Sequence, residues 1–549
     1  MPGMNAETAP ATQGPLAQAL ERVTAALHDH DVPLAKSLSS QALAQRLEHP
    51  LFLNLRALAH EDAGRFEQAL ADLRRAHFLS PKDYAILNAC GLCLARMDRS
   101  EEALQCYDQV LALKADFEPG WFNRGWVLER LGETAKAADS YQKTVALNPN
   151  HVLAWATLAH LAARRGDAEA TRDYANRALA LQPGQPTAVL ALADVEMSDP
   201  PVAERRLRAL LARADIGDFD RAVAQGQLGD VLNAAGRTEE AFAAYQAGNA
   251  LFLKEARPRF EAPGQPTVAG AVAWMTPWAR SLRPTPRPPS LPIARPASGH
   301  IFLMGFPRSG TTLIESMLTA HPDVVSLEER NTLQASVRAW LTDPAALNRL
   351  LNARDAELNA YRQDYWACVK AFGSDPSGKI FIDKNPFNAL KLPLIYRLFP
   401  DAKVVFAIRD PRDVVLSCFR RRFNLNPSTY ELLDLNRAAN LYDGMMGFAE
   451  AFRAAFPYDE HQLVYERLVK NVDVEARAVC AFIGAPWRDD LVDFSGRAKR
   501  GDVASASSAQ IARGLYTDGA GQWRRYRQEL APVLDVLAPW VEKFGYPAD

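Results

Sequence analysis

The sequence predicts an α-solenoid of helical hairpins followed by an α/β domain in which a P-loop-like parallel sheet is flanked by helices. Three observations predict it. Small and turn-forming residues recur every 34 positions through the first half; a proline- and arginine-rich stretch interrupts the chain near residue 290; and the second half carries short apolar runs ending in glycine- or arginine-bearing loops that lead into helical patterns. A chain of 549 residues is too long for one ordinary core, so at least two domains are expected. The spans read as 15–256 for the repeat array, 257–299 for a connector and 300–549 for the second domain.

The repeat register is the first element to justify. Ala57, Gly91, Gly125 and Ala159 form a small-residue column, and seven positions later Gly64, Asp98, Gly132 and Gly166 form a turn column. Ala69, Ala103 and Ala137 follow, with Thr171 departing from the pattern, and repeat ends fall at Pro81, Ala115, Pro149 and Pro183. Two helices that cross closely need small side chains where they touch. A helix-ending turn often needs positive φ, which Gly adopts freely, and a proline stops one helix and prepares the next. A further copy carries Gly229, Gly236, Ala241 and Tyr245; residues 15–48 read as a divergent first hairpin; and 185–215 reads as irregular, broken at Asp199-Pro200-Pro201. These columns resemble the tetratricopeptide repeat family. The resemblance implies a stacked array whose concave face recruits a protein or peptide, or serves as a structural platform. The connector that follows, with Pro284, Pro286, Pro288, Pro289, Pro292 and Pro296, reads as extended and partly polyproline II, with Trp274 and Trp278 available to dock it.

Composition excludes several classes. The net charge of −2 lacks the cationic surplus that coats nucleic acid, so anion binding must come from local clusters. No run approaches ~18 uninterrupted apolar residues, and the start lacks the basic flank and apolar run of a signal peptide, so a cytoplasmic protein without membrane partners is expected. Cys90 and Cys93 lack a second ligand pair at zinc spacing and read as buried apolar residues.

The second domain opens with an apolar strand, His300–Met304, the loop Gly305-Phe306-Pro307-Arg308-Ser309-Gly310, and a helix from Thr311-Thr312. Strand, glycine-bounded loop and helix start point backbone N–H groups at a phosphate. The spacing of the two glycines matches a nucleotide-triphosphate loop, but Thr311-Thr312 stands where that loop carries Lys-Ser/Thr, so the lysine that reaches the β/γ-phosphates is missing. A second strand, Lys403–Ile408, ends in Arg409-Asp410-Pro411-Arg412 and leads into a helix bearing Ser417, which suits a second anion.

The motif Pro307-Arg308-Ser309-Gly310-Thr311-Thr312 resembles the 5′-phosphosulfate loop of the sulfotransferases, and His321-Pro322-Asp323-Val324 with Glu328-Glu329 is most similar to the tyrosylprotein branch. The resemblance covers about residues 300–525. It implies 3′-phosphoadenylyl sulfate as donor, no metal, and an acceptor hydroxyl, with a protein or peptide tyrosine as one candidate. By the same resemblance Arg308, Ser309, Gly310, Thr311 and Thr312 hold the 5′-phosphosulfate, and Arg409, Ser417 and Arg421 the 3′-phosphate. Glu328 is the base, with Glu329 open beside it, and Lys384 stabilises the bridging oxygen. Ser507 is the third catalytic residue, stabilising the sulfonate oxygens and the departing phosphate with Lys384 and Arg308; with Gln510, Arg513 and Trp523 it belongs to a loop that covers the donor, and Tyr465 contacts the donor. Without the resemblance, Arg421 inside Arg420-Arg421-Arg422 reads equally as a solvated charge run and Tyr465 as an edge-strand aromatic, whereas the flanking Phe381 and Phe387 disfavour reading Lys384 as a surface-loop lysine. Arg330-Asn331 departs from the tyrosylprotein pattern where the acceptor pocket would form. A P-loop nucleotide kinase and a repeat scaffold with an inactive sulfotransferase-like domain are the alternatives.

Overall fold

The computed structural model describes residues 14–284, 295–492 and 519–549. It divides into two compact units: Met1–Ala162 with Ala168–Ala191, and Ala163–Asp167 with Leu192–Asp549.

The first unit is built of antiparallel helical hairpins. Helices Pro50–Asp62 and Phe66–Leu79, Tyr84–Arg96 and Ser100–Leu113, and Glu118–Arg130 and Thr134–Leu147 pair in sequence. The divergent first hairpin is present as Pro15–His28 and Val32–Ala44. The turn column has the expected backbone: φ is 71° at Gly64, 60° at Asp98, 81° at Gly132 and 75° at Gly166. The small-residue column has a sharper cause than general crowding. A Cβ on Gly91 would stand 2.7 Å from the Tyr107 ring, and one on Gly125 would stand 2.8 Å from Tyr141. Each glycine receives the aromatic ring of its hairpin partner. Cys90 and Cys93 pack in the same core, and burial pushes their thiols up to about 12 and about 11, so both stay protonated and inert.

The stretch expected to be irregular is helical. Helices Pro186–Val195 and Pro200–Leu211 occupy it, and Asp199-Pro200-Pro201 begins the second one. Proline at the first helical positions costs no hydrogen bond, so these prolines start a helix where they were read as a break. The second unit therefore begins within the repeat-like helices, and Asp218–Ala234 and Thr238–Phe260 form its long hairpin. The connector is corrected as well. Residues Val268–Ser281 form a helix, because Val272, Met275 and Ala279 recur at helical spacing and are buried. Trp278 does dock: its Nε1 donates to Asn348 Oδ1 at 2.9 Å.

Five parallel strands make the sheet: β1 Gly299–Gly305, β2 Val324–Glu328, β3 Ile380–Lys384, β4 Lys403–Ile408 and β5 Glu460–Val464, in the order β2-β3-β1-β4-β5. Continuous apolar runs such as Ile301–Met304 and Val404–Ile408 suit strands covered on both faces. β1 lies between β3 and β4, so loops leaving their carboxyl ends open a crevice there, the usual ligand position in such sheets. Among the described residues no helix is long and apolar enough to cross a membrane.

Candidate functional site at the carboxyl edge of the sheet

The loop after β1 is held by residues that tolerate unusual backbone. Gly305 has φ 148° and lies against the Ala407 carbonyl, Arg308 has φ 71°, and Gly310 has φ 95°. A Cβ on Gly310 would stand 2.7 Å from the Tyr465 ring. The helix Thr311–Leu318 begins directly after it, so its first N–H groups have no carbonyl within the helix to meet. That row of donors, with a positive helix end behind it, is an anion cradle. Ser309, Thr311 and Thr312 are buried around it.

Two arginines converge on the cradle. Arg308 Nε donates to Ser417 Oγ at 3.2 Å, across more than a hundred residues. Arg409 donates to the Arg308 carbonyl at 2.8 Å and to the Gly519 carbonyl, and its guanidinium lies 4.5 Å from the centre of the Tyr465 ring. The buried Arg409 Nε has no hydrogen-bond partner among the described residues. Burial, with Arg421 and Arg409 nearby, pulls Arg308 down to about 10. A bound anion would relieve that crowding and satisfy the orphaned donor. Tyr465 is therefore at the cradle, at the first position of helix Tyr465–Lys470, and not on a strand edge.

At the other end of the cradle sits Lys384, fully buried at the end of β3 and far from the surface-lysine alternative. Strand register sets Glu328 opposite it. Lys384 Nζ reaches Glu328 Oε1 at 2.8 Å, Glu329 Oε1 at 2.9 Å, Glu315 Oε2 at 3.3 Å and Thr312 Oγ1 at 3.5 Å. Four acceptors compete for three ammonium protons, so the lysine can exchange partners without leaving its pocket. Burial alone would lower its pKa, but Glu315, Glu328 and Glu329 outweigh it and the pKa is raised; Lys384 stays charged. Glu315 behaves oppositely: burial pushes its carboxyl up to about 7, against the pull of Lys384.

Three comparisons bear on this arrangement. The pattern of the sulfotransferase family matches residues 300–489, which contain β2 to β5, all of β1 but Gly299, and both anion sites. Residues 300–489 are a sulfotransferase domain. A tetratricopeptide repeat pattern matches residues 119–151, and that of a bacterial transcriptional activator domain matches 4–120. Protein-tyrosine sulfotransferase 1 of Danio rerio is 27% identical over 264 residues, 45% of this chain and 72% of that protein. An uncharacterized protein of Aquifex aeolicus (strain VF5) is also 27% identical, over 260 residues, and there the match spans 46% of this chain but only 34% of the other. A tetratricopeptide repeat protein from Parabacteroides merdae is 21% identical over 38% of this chain and 86% of its own, with a TM-score of 0.33.

Within the sulfotransferase domain most of the expected residues meet. Arg308, Ser309, Gly310, Thr311, Thr312, Arg409, Ser417 and Tyr465 surround the cradle, and Lys384 and Glu328 close its far end. Arg421 caps the helix Pro411–Arg420 and lies within electrostatic reach of Arg308, while its neighbours Arg420 and Arg422 bond to Gln522 and Asp230. The run is not a solvated charge patch. Ser507, Gln510 and Arg513 lie outside the described residues. Trp523 is buried beneath the Arg412 guanidinium at 3.7 Å, and its backbone N–H, with that of Gly521, donates to Asp413.

Glu315 was missed by sequence reasoning, as was Ser326, whose hydroxyl donates to it. A lone carboxylate in the apolar run Thr-Leu-Ile-Glu-Ser-Met-Leu was the available signal. Asp383 was missed too. It is buried behind Lys384 and accepts from Thr332 at 2.7 Å, Tyr365 at 2.9 Å and Asn388 at 3.0 Å, fixing the end of β3.

Proposed function

We propose that this chain transfers a sulfuryl group from 3′-phosphoadenylyl sulfate to an acceptor hydroxyl, with a protein or peptide tyrosine as the acceptor. The observation that carries the reading is the Arg308–Ser417 contact, because it joins the loop after β1 to the helix after β4 and makes one cleft from two anion sites. A donor phosphorylated at two ends fits such a cleft better than a simple phosphate. The tyrosine acceptor rests on the curated relatives, and the repeat array is read as the surface that recruits the protein bearing it.

The steps give each group the role that the sulfotransferase resemblance implies. Arg308 and the loop N–H groups hold the 5′-phosphosulfate; Arg409, Ser417 and Arg421 hold the 3′-phosphate. Glu328 takes the acceptor proton as the acceptor oxygen forms its bond to sulfur, and the bond from sulfur to the bridging phosphate oxygen breaks. Protonation removes the negative charge that pairs Glu328 with Lys384, which frees an ammonium proton for the departing oxygen as its charge develops. The product adenosine 3′,5′-bisphosphate keeps the electron pair of the broken bond.

The test is transfer of labelled sulfuryl from the donor to a tyrosine-containing peptide. Arg308→Ala and Glu328→Ala should each lower kcat/KM by roughly 100-fold or more, as loss of a charge-stabilising group or a general base does. Glu329→Ala, which removes the more exposed partner of Lys384, should cost much less. Equal losses at Glu328 and Glu329 would move the base assignment, and transfer indifferent to Arg308 and Glu328 would overturn the site.

A further inference from the structure

The helix that carries Ser417 ends against the last long hairpin, Asp218–Ala234 and Thr238–Phe260, which belongs to the same compact unit. The junction is specific. Asn249 Nδ2 donates to the Phe419 carbonyl at 2.8 Å in a buried bond, and Phe242 stacks on Phe419 with ring centres 5.1 Å apart. Arg420 lies over the rings of Tyr245 and Tyr526 and donates to Gln522. Arg422 donates to Asp230 Oδ2 at 2.9 Å, while the other Asp230 oxygen accepts from Tyr245 OH at 2.9 Å. Gly226 makes room for the Arg422 side chain: a Cβ there would stand 2.8 Å from its guanidinium.

Arg421 sits between two anchored arginines. Its backbone is extended, with φ −90° and ψ 131°. Anchoring Arg422 on the hairpin holds the neighbouring backbone, and with it the root of the Arg421 side chain. Arg422, Asp230 and Asp194 all act on the Arg421 charge, and Arg421 in turn acts on that of Arg308, so one group of side chains joins the hairpin to the loop after β1.

We propose that Asp230, on the last hairpin, is a positioning residue for the donor site: by holding Arg422 it aims Arg421 at the 3′-phosphate. The inference rests on the donor proposed above. It makes this hairpin part of the donor-binding body, whatever the remaining repeats recruit.

The experiment uses the full chain and two probes, adenosine 3′,5′-bisphosphate and adenosine 5′-phosphate, with binding measured by calorimetry. In the wild type the 3′-phosphate should add affinity. Asp230→Asn should reduce that added affinity about tenfold, the scale of one charge-assisted contact, while binding of the 5′-phosphate stays the same. The donor KM should rise with it and kcat much less, and Asp230→Glu should restore most of the loss. Arg422→Lys, which keeps the charge but loses the fork, provides a second variant with the same expected selectivity should Asp230→Asn not fold. Equal weakening of both probes, or no change in either, would overturn the positioning role. A wild type that binds neither probe would instead remove the donor reading on which it rests.

Discussion

His300 shows how one buried side chain sets a pH limit. It is 2% exposed in an aromatic nest of Phe302, Tyr365, Trp366, Phe381 and Phe399, with Nε2 2.8 Å from the Tyr365 hydroxyl. Burial, with Arg295 adding to it, pulls the imidazole from 6.5 down to about 3. The folded protein therefore keeps His300 neutral where the unfolded chain protonates it, so its contribution is present above the unfolded value and is lost as pH falls from about 6.5 toward 3. Urea melts across that range should show His300→Phe with a flatter acid limb than wild type; parallel curves would contradict the assignment. Gly310→Ala is the matching test of the loop. It places a side chain at φ 95° against Tyr465 and should weaken donor binding by well over the ~1 kcal/mol of an ordinary Gly→Ala change. The loop residues were legible in the sequence because glycine spacing and missing lysine are local facts. Glu315 and Asp383 were not, because their roles depend on which strand lies beside them.

At the scale of elements, β2 and β3 matter through their register. Pairing Glu328 with Lys384 gathers three carboxylates around one buried ammonium. Lys384→Met should therefore be costly near pH 8, by about 3–5 kcal/mol, the range for removing one partner of a buried ionic cluster. Without the cation the Glu315 carboxyl, already raised by burial, rises further, and a raised acid pKa takes stability away as pH rises. Part of the loss should return as the melts are taken down toward pH 5. A pH-independent loss would point to packing alone. The strands themselves were legible from apolar runs ended by charged or glycine positions. The helices at 186–211 and 268–281 were misread because proline was weighed as a breaker. In both, a proline sits where the helix can do without its N–H or inside an apolar stripe strong enough to hold it.

For the whole molecule, repeat character and compactness divide the chain at different places. The repeat columns and proline content suggest a boundary near residue 290, whereas the packing groups Leu192–Asp549 together. Asp230–Arg422, Asn249–Phe419 and Tyr430–Glu261 are among the contacts that join this unit, and no local pattern encodes them. A fragment starting at Gly184 should melt cooperatively and bind donor; one starting at Arg295 should lose both, and retention of both by the shorter fragment would restore the boundary near 290. The central claim is that one cleft, from Ser417 through Arg308 to Lys384, handles a doubly phosphorylated sulfuryl donor. Its most direct measurement is transfer of labelled sulfuryl from 3′-phosphoadenylyl sulfate by wild type, Arg308→Ala and Ser417→Ala. The account predicts transfer by wild type, near-complete loss in Arg308→Ala and a raised donor KM in Ser417→Ala. Transfer unchanged in both variants, or a wild type that neither binds nor uses this donor, would contradict it.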